Sequence, residues 1–371
     1  MIKRIFINKT GVFILTKLLL IGSGHAHLSI LRSLLHENVS ELEVTLITSS
    51  KFQYFSGVFS GFTEGLYKED EIRIDLASLC DSTSVKFIED TIISFDPIQK
   101  VLLGFSGGIY SFDVISFDME PWTSSELMGT PESNPKHHVI EEIKKVRTSD
   151  APVIIGDCLA AVELALSIST WRKKHNMSKP VSFISSNSLL HSYGVNATNK
   201  IRMIAHDHNL VFYENERVKE VNNNYVLTDK GTEIKYSILL PITGAKASSL
   251  FKQALLPVDP SGFLLVDDTL QSDEYPYVFG AGNCVTISEY PDLEKSDFHA
   301  TRQGPILWRN IKRFISGRPL ARYTPRSNFF SILSTGEQQG LMIYKNRTFH
   351  GKWVWNLKHY IDQKYVKKHI R

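Results

Sequence analysis

Apolar runs that end on glycine punctuate the chain. Leu18-Leu19-Leu20-Ile21 leads into Gly22-Ser23-Gly24, and Leu28, Leu31, Leu34 and Leu35 follow at helical spacing. Glu43-Val44-Thr45-Leu46-Ile47 is the next strand. Strand, turn, helix and strand make one βαβ unit, and the continuous apolar runs are those of buried parallel strands. The same order returns at Val153-Ile154-Ile155-Gly156, with a helix expected over 159–171 and a strand over 181–184. A third apolar segment, Tyr277-Val278-Phe279, ends in Gly280-Ala281-Gly282-Asn283, and a helix is expected over 299–315. Between these lie a short helix over 74–80, antiparallel strands over 85–117 around Gly107-Gly108, and more strands over 211–240 around Lys230-Gly231. The Pro-, Ser- and Gly-rich stretch 121–135 reads as a linker. There is no short-period repeat; what is duplicated is the nucleotide-type βαβ unit.

A glycine turn at a helix N-terminus lets backbone approach a pyrophosphate, and the unpaired N–H groups and helix dipole favour its charge. In the first motif Gly22 supplies the turn, Gly24 the close approach, and His25 and Ala26 open the helix. The third position, usually Gly or Ala, is His27. The acid expected after the second strand is replaced by Thr48-Ser49-Ser50, with Ser49 the ribose candidate. Two nucleotide folds, with a late segment returning to the first, suit a flavoprotein that brings FAD against a nicotinamide. In that late segment Gly282 approaches the flavin phosphate or ribityl chain. Asn283 replaces the usual Asp and can accept through its amide oxygen.

The second motif is degraded. Gly156 and Glu163 match an NAD(P)H-binding turn, and Ala161 is tolerable at the third position. Cys158 stands at the second glycine, however, and Asp157 adds negative charge. Ser185-Ser186-Asn187 offers neither an acid for NAD nor an Arg for NADP. Gly244 closes the inserted segment. Either NAD(P)H binds weakly here or the donor is something else.

With these motifs placed, further stretches carry a resemblance. They are Tyr54-Phe55-Ser56-Gly57-Val58-Phe59-Ser60-Gly61, Ile72-Arg73-Ile74-Asp75-Leu76, Arg302-Gln303-Gly304-Pro305, and Gly351-Lys352-Trp353-Val354-Trp355-Asn356-Leu357-Lys358 with Ile361-Asp362. The chain resembles the FAD-dependent pyridine nucleotide-disulfide oxidoreductase superfamily on its type II NADH dehydrogenase side. More narrowly, it resembles the flavoproteins often fused ahead of selenide, water dikinase. The resemblance implies FAD bound by the first and third segments, with Ser56 and Gly57 near the isoalloxazine. It implies that Gln303 is the catalytic candidate, at the flavin–acceptor edge. The implied activity is an FAD-dependent, NAD(P)H dehydrogenase-like oxidoreductase that passes electrons through flavin to a quinone or similar acceptor. Two alternatives stay open: a flavin-binding sensor with a vestigial NAD(P)H site, and a sulfide:quinone oxidoreductase-like enzyme.

The expected fold class is α/β, with two Rossmann-like FAD/NAD(P)-binding domains (three-layer ββα), the second inserted in the first. The boundaries are an extension over 1–17, a discontinuous FAD-binding domain over 18–135 and 245–325, an NAD(P)H-binding-like domain over 136–244, and a C-terminal segment over 326–371. A chain of 371 residues can bury such cores. Hydrophobic content of 42% with 22% charged residues is ordinary for a globular protein. A net charge of +3 is too small to argue for nucleic acid. Cys80, Cys158 and Cys284 form no close pair and read as buried hydrophobes. No metal is expected.

Lys3 and Arg4 followed by Val12-Phe13-Ile14-Leu15 imitate a signal peptide. Cleavage there would remove the first strand, so export is rejected. The C-terminal segment interleaves aromatic and apolar residues with lysines, and Val354, Leu357 and Ile361 are expected to share a helical face. Such a helix suits an anionic membrane surface. The partners expected are therefore a small-molecule donor and acceptor, no nucleic acid, and peripheral membrane contact through residues 351–371. A homodimer is left open, and the location expected is the cytoplasm or the inner face of its membrane.

Overall fold

The computed structural model describes residues 15–119, 135–242, 244–326 and 330–370. The extension up to residue 14 and nearly all of the expected linker lie outside them. The chain divides into two compact units. One comprises Met1–Gln53, Asp75–Trp122 and Ala245–Pro325, the other Tyr54–Ile74, Thr123–Gly244 and Arg326–Arg371. Residues 54–74, expected with the FAD-binding segments, therefore fall in the second unit, as does the C-terminal segment.

The first unit is built on a five-stranded sheet in the order Val278–Gly280, Val114–Phe117, Thr16–Ile21, Leu42–Thr48, Val85–Glu89. All its pairs are parallel. Leu18, Leu20, Leu46, Ile47, Ile115 and Phe117 are fully buried in it. The strand order reverses between Thr16–Ile21 and Val114–Phe117, and ligands of such sheets bind at that switch point, beyond the carboxyl ends of the strands. Helix His25–Leu34 follows the central strand. Helix Asp297–Ile315 packs on it so closely that a Cβ on Gly304 would lie 2.6 Å from Ser29 Cβ and 2.9 Å from the Ala26 carbonyl.

One expectation is corrected here. Residues 85–117 are not antiparallel throughout. Val85–Glu89 and Val114–Phe117 belong to the parallel sheet, and only Ile92–Asp96, Val101–Gly104 and Ile109–Ser111 pair antiparallel. The reason is burial: all four residues of Val114–Phe117 are covered, as in a central parallel strand, whereas the hairpin keeps an exposed face.

The second unit has a four-stranded parallel sheet in the order Leu210–Glu214, Val181–Ser185, Pro152–Ile155, Ile238–Pro241. Residues 211–240 thus contain two parallel strands, flanking an antiparallel set of Val218–Val221, Tyr225–Thr228 and Glu233–Lys235. Helices Pro135–Thr148 and Val195–His206, absent from the pattern reading, cover this unit's cores. Ile140, Ile143 and Val146, all fully buried, supply the helical spacing of the first. The C-terminal segment adds an antiparallel sheet of Ser331–Gly336, Gln339–Tyr344 and Arg347–Gly351, then helix Lys352–Ile370.

The three residues expected to share one apolar face do not share one environment, because Val354 is buried in the protein and Ile361 is not. Val354, Lys358, Asp362 and Val366 point inward at four-residue intervals, while Ile361 is 41% exposed. Two charged groups enter the buried stripe because they pair with each other, Nζ to Oδ2 at 2.7 Å.

Candidate functional site

The first glycine turn is shaped around one carboxylate. Gly22 has φ +88°, and a Cβ on it would lie 2.5 Å from the Asp118 carbonyl oxygen. Gly24, which precedes helix His25–Leu34, donates its amide to that oxygen at 2.9 Å. A Cβ on Gly24, or on Gly282 at φ +74°, would strike the Asp118 side chain. Asp118 Oδ2 accepts the His27 amide at 2.9 Å, and Asp118 is buried. Asp118 thus brings the first and third segments together, and the sequence reading missed it. Its signal was a charged residue directly after four strand residues, at the switch point.

His27 fills the third motif position with a bridge rather than a small residue. Its Nδ1 lies 2.7 Å from the Gly22 carbonyl and its Nε2 2.8 Å from Ser116 Oγ. Burial pushes its pKa down to about 4, against the hydrogen bond to Gly22, which raises it. At the strand end, Ser23 Oγ donates to Gln53 Oε1 at 3.0 Å and lies 3.4 Å from Thr48 Oγ1. Ser49 is half-buried beside them.

The third segment borders a small, open cleft lined by Gly282, Asn283, Lys295, Ser296, His299 and Gln303. Gln303 is buried, and its Oε1 accepts the Gly282 amide at 2.6 Å. It therefore holds the Gly282–Asn283 turn. Asn283 Nδ2 donates to Asp297 Oδ1 at 3.4 Å, and Asp297 Oδ2 lies 3.2 Å from His25 Nε2. Asn283 Oδ1 and Ser296 Oγ are buried with no hydrogen-bond partner among the described residues. Two orphaned polar atoms at a cleft are a stated cost unless a ligand meets them. His299, at 2.9 Å from Tyr323 Oη, is a satisfied histidine whose pKa is lowered by burial and then by Arg302.

The cysteines are quiet. Burial pushes Cys80 up to about 12 and raises Cys158 and Cys284 as well. None is an activated thiolate at neutral pH. No group of three His, Cys, Asp or Glu among the described residues is placed to hold a metal ion.

In the second unit Gly156 again ends the central strand, and a Cβ there would lie 2.6 Å from Ala161 Cβ. Cys158 precedes helix Leu159–Lys174, and its Sγ donates to the Ile242 carbonyl at 3.6 Å. The Asp157 carboxylate reaches the end of the next strand, at Ser185, Ser186 and Asn187. Glu163, expected to meet cofactor, accepts the Ser334 amide at 2.7 Å and lies 3.4 Å from Lys358 Nζ. Lys358 Nζ also donates to the carbonyl of Gly57, while Ser56 beside it is exposed. Gly244 has φ +90° with open space around it.

Two parallel sheets, each with a glycine turn opening a helix at the central strand, define an oxidoreductase of the two-dinucleotide-fold class. The profile of the family described as pyridine nucleotide-disulphide oxidoreductase matches residues 16–310, and the chain belongs to that family. Its members are FAD-dependent oxidoreductases. Among relatives, a sulfide-quinone reductase of Aquifex aeolicus is 23% identical over 336 residues, covering 81% of this chain and 77% of its own. The solved sulfide:quinone oxidoreductase of that organism superposes with TM-score 0.79 at 20% identity, over 96% of this chain and 91% of its own. NDH2 from Plasmodium falciparum, solved in complex with NADH, superposes with TM-score 0.77 at 12% identity, over 96% and 99%.

Proposed function

We propose that this protein is an FAD-dependent oxidoreductase, NAD(P)H dehydrogenase-like in architecture, that passes electrons from a reduced donor to a quinone or similar acceptor. The observation that carries the FAD reading is Asn283 Oδ1, a buried acceptor with no hydrogen-bond partner among the described residues, next to a glycine whose Cβ would collide with Asp118. Such an oxygen fits a ribityl hydroxyl, and Ser296 Oγ offers a second polar contact. FAD supplies the hydride- and electron-transfer chemistry. The residues proposed to hold it are Gly22, Gly24, His25, Ala26, Gly282 and Asn283, with Ser49 toward the ribose. For Ser56 and Gly57 the support is the family resemblance.

In this reading Gln303 is a positioning residue as well as the acceptor-edge candidate, because its carbonyl oxygen fixes the Gly282 amide. His25 and Asp297 orient Asn283, leaving its oxygen free to accept. The Aquifex aeolicus relative, a sulfide-quinone reductase, supports sulfide as a second donor reading. The raised thiol pKa values speak against a cysteine thiolate in that chemistry.

The acceptor reading extends to the membrane. Trp353 and Tyr360 of the C-terminal helix are 53% and 63% exposed, on the side opposite the buried stripe, and Ile361, 41% exposed, lies on its flank. Lys364 and Lys367 share the face of Trp353 and Tyr360. No helix among the described residues is long and apolar enough to cross a membrane, so contact of this kind is interfacial.

The deciding experiment is an anaerobic visible spectrum of the purified protein, before and after NADH, NADPH and sulfide. A flavin band that bleaches with one of them and recovers with a quinone is the expected result. Absence of a flavin band, after FAD has been supplied, overturns the reading.

A further inference from the structure

The second glycine turn differs from the first in where its acid points. Asp157 sits between Gly156 and Cys158 and is exposed. Ser185 Oγ donates to its Oδ1 at 2.7 Å, Ser186 Oγ to its Oδ2 at 2.8 Å, and the Asn187 amide to Oδ1 at 3.2 Å. The donors are Ser185, the last residue of the second strand Val181–Ser185, and the two residues that directly follow it. In a dinucleotide fold that strand end reads the adenosine ribose, normally with an acid that accepts a ribose hydroxyl. Here a carboxylate is present at that end, but it comes from the turn and is already held by three hydrogen bonds.

The other end of the seat is also taken. The sheet order reverses between Pro152–Ile155 and Ile238–Pro241, and a dinucleotide crosses at that crevice. Cys158 Sγ reaches across it to the Ile242 carbonyl at 3.6 Å. Its Cβ occupies the motif position where a missing side chain would let backbone meet pyrophosphate. Asp157 adds a negative charge beside the path of that anion. Burial pushes the Asp157 pKa up, but the hydrogen bonds from Ser185, Ser186 and Asn187 outweigh it, so the carboxyl is held below its usual range and is ionised at neutral pH.

We propose that Asp157 is a built-in occupant of the second dinucleotide seat: its carboxylate engages the ribose end, and NAD(P)H binds only by displacing it. The inference rests on the oxidoreductase reading above for its relevance to electron donors. Its geometry is confined to the second unit. Charge repulsion is stronger for the 2′-phosphate of NADPH than for NADH. Asp157 therefore acts as a specificity residue against dinucleotides, with Cys158 as its steric partner.

The test is calorimetric titration of the full-length protein with NADH and with NADPH, for wild type, Asp157→Ala and Ser186→Ala. The titrations are run anaerobically on protein whose flavin has first been reduced with dithionite, so that the heat is that of binding alone, and a flavin spectrum taken on each sample judges the FAD reading separately. The expected result is that Asp157→Ala tightens NADH at least tenfold and NADPH by more. Ser186→Ala, which removes one of the three hydrogen bonds holding the carboxylate, is expected to tighten both by a smaller factor. It also carries the test if Asp157→Ala does not fold. Unchanged affinity in the folded variants overturns the proposal. Weaker binding overturns it too, because Asp157 would then be the ribose acceptor itself.

Discussion

His27 puts an imidazole where the first turn ordinarily carries a small residue, and the imidazole is fully buried. Its pKa falls from 6.5 to about 4. The unfolded chain binds a proton there that the folded protein refuses. The stabilisation is therefore complete above pH 6.5 and is lost as pH falls from 6.5 through 4, to a total of about 3 kcal/mol. Urea unfolding at pH 7 and pH 4.5 reads this directly, and His27→Gln should flatten the dependence in that window. An unchanged slope in the variant would assign it to other groups. Gly24 is tested differently. A Cβ at that position meets the buried Asp118 carboxylate, so Gly24→Ala should cost about 1–3 kcal/mol of stability and lower the flavin retained on purification. A stable variant with full flavin content would mean that Asp118 moves aside easily.

Among the elements, the C-terminal helix makes the sharpest demand. Lys358 is buried between Asp362, Glu163 and the Gly57 carbonyl. Burial alone would lower its pKa, but the carboxylates of Asp362 and Glu163 outweigh this and keep the ammonium charged. Glu64, raised by burial, accepts a hydrogen bond from Ser334 in the same unit. Lys358→Met leaves two carboxylates uncompensated and should destabilise the protein by about 3–5 kcal/mol, measured by denaturant titration. A loss below about 1 kcal/mol would mean the ions reach water. The opposite face of this helix makes a separate prediction. Replacing Trp353 and Tyr360 together by Ser should abolish sedimentation with phosphatidylserine vesicles while the protein stays folded, with a stability loss of no more than about 1 kcal/mol, since both are more than half exposed. Wild-type protein that stays in the supernatant at low salt would remove the membrane from the proposal.

On the scale of the whole molecule, the proposed cofactor should act as a folding ligand. FAD bound to the native state alone stabilises it by about 2.7 kcal/mol at a hundredfold excess over Kd. Protein stripped of flavin should melt at a lower temperature and recover its Tm on adding FAD. Adding FAD without effect on Tm would argue against the orphaned Asn283 oxygen as its contact.

The local sequence by itself determined the two βαβ starts and the segment that returns to the first sheet. Buried parallel strands demand unbroken apolar runs, and a tight turn into a helix demands glycine, so Leu18 to Gly24, Val153 to Gly156 and Val278 to Gly282 were legible. Helix Pro135–Thr148 was passed over because it adjoins a stretch of linker composition. The strands of residues 331–351 were passed over because a short antiparallel sheet carries only a weak alternation. What tertiary structure alone decided was which side chains meet. Asp118 lies 91 residues from the His27 amide it accepts. Asp157 is separated by 28 residues from Ser185, and Lys358 by 301 residues from the Gly57 carbonyl. Charge in a sequence carries no partner. Only the fold, by removing water and fixing distance, turns a carboxylate into the frame of one site and the occupant of another.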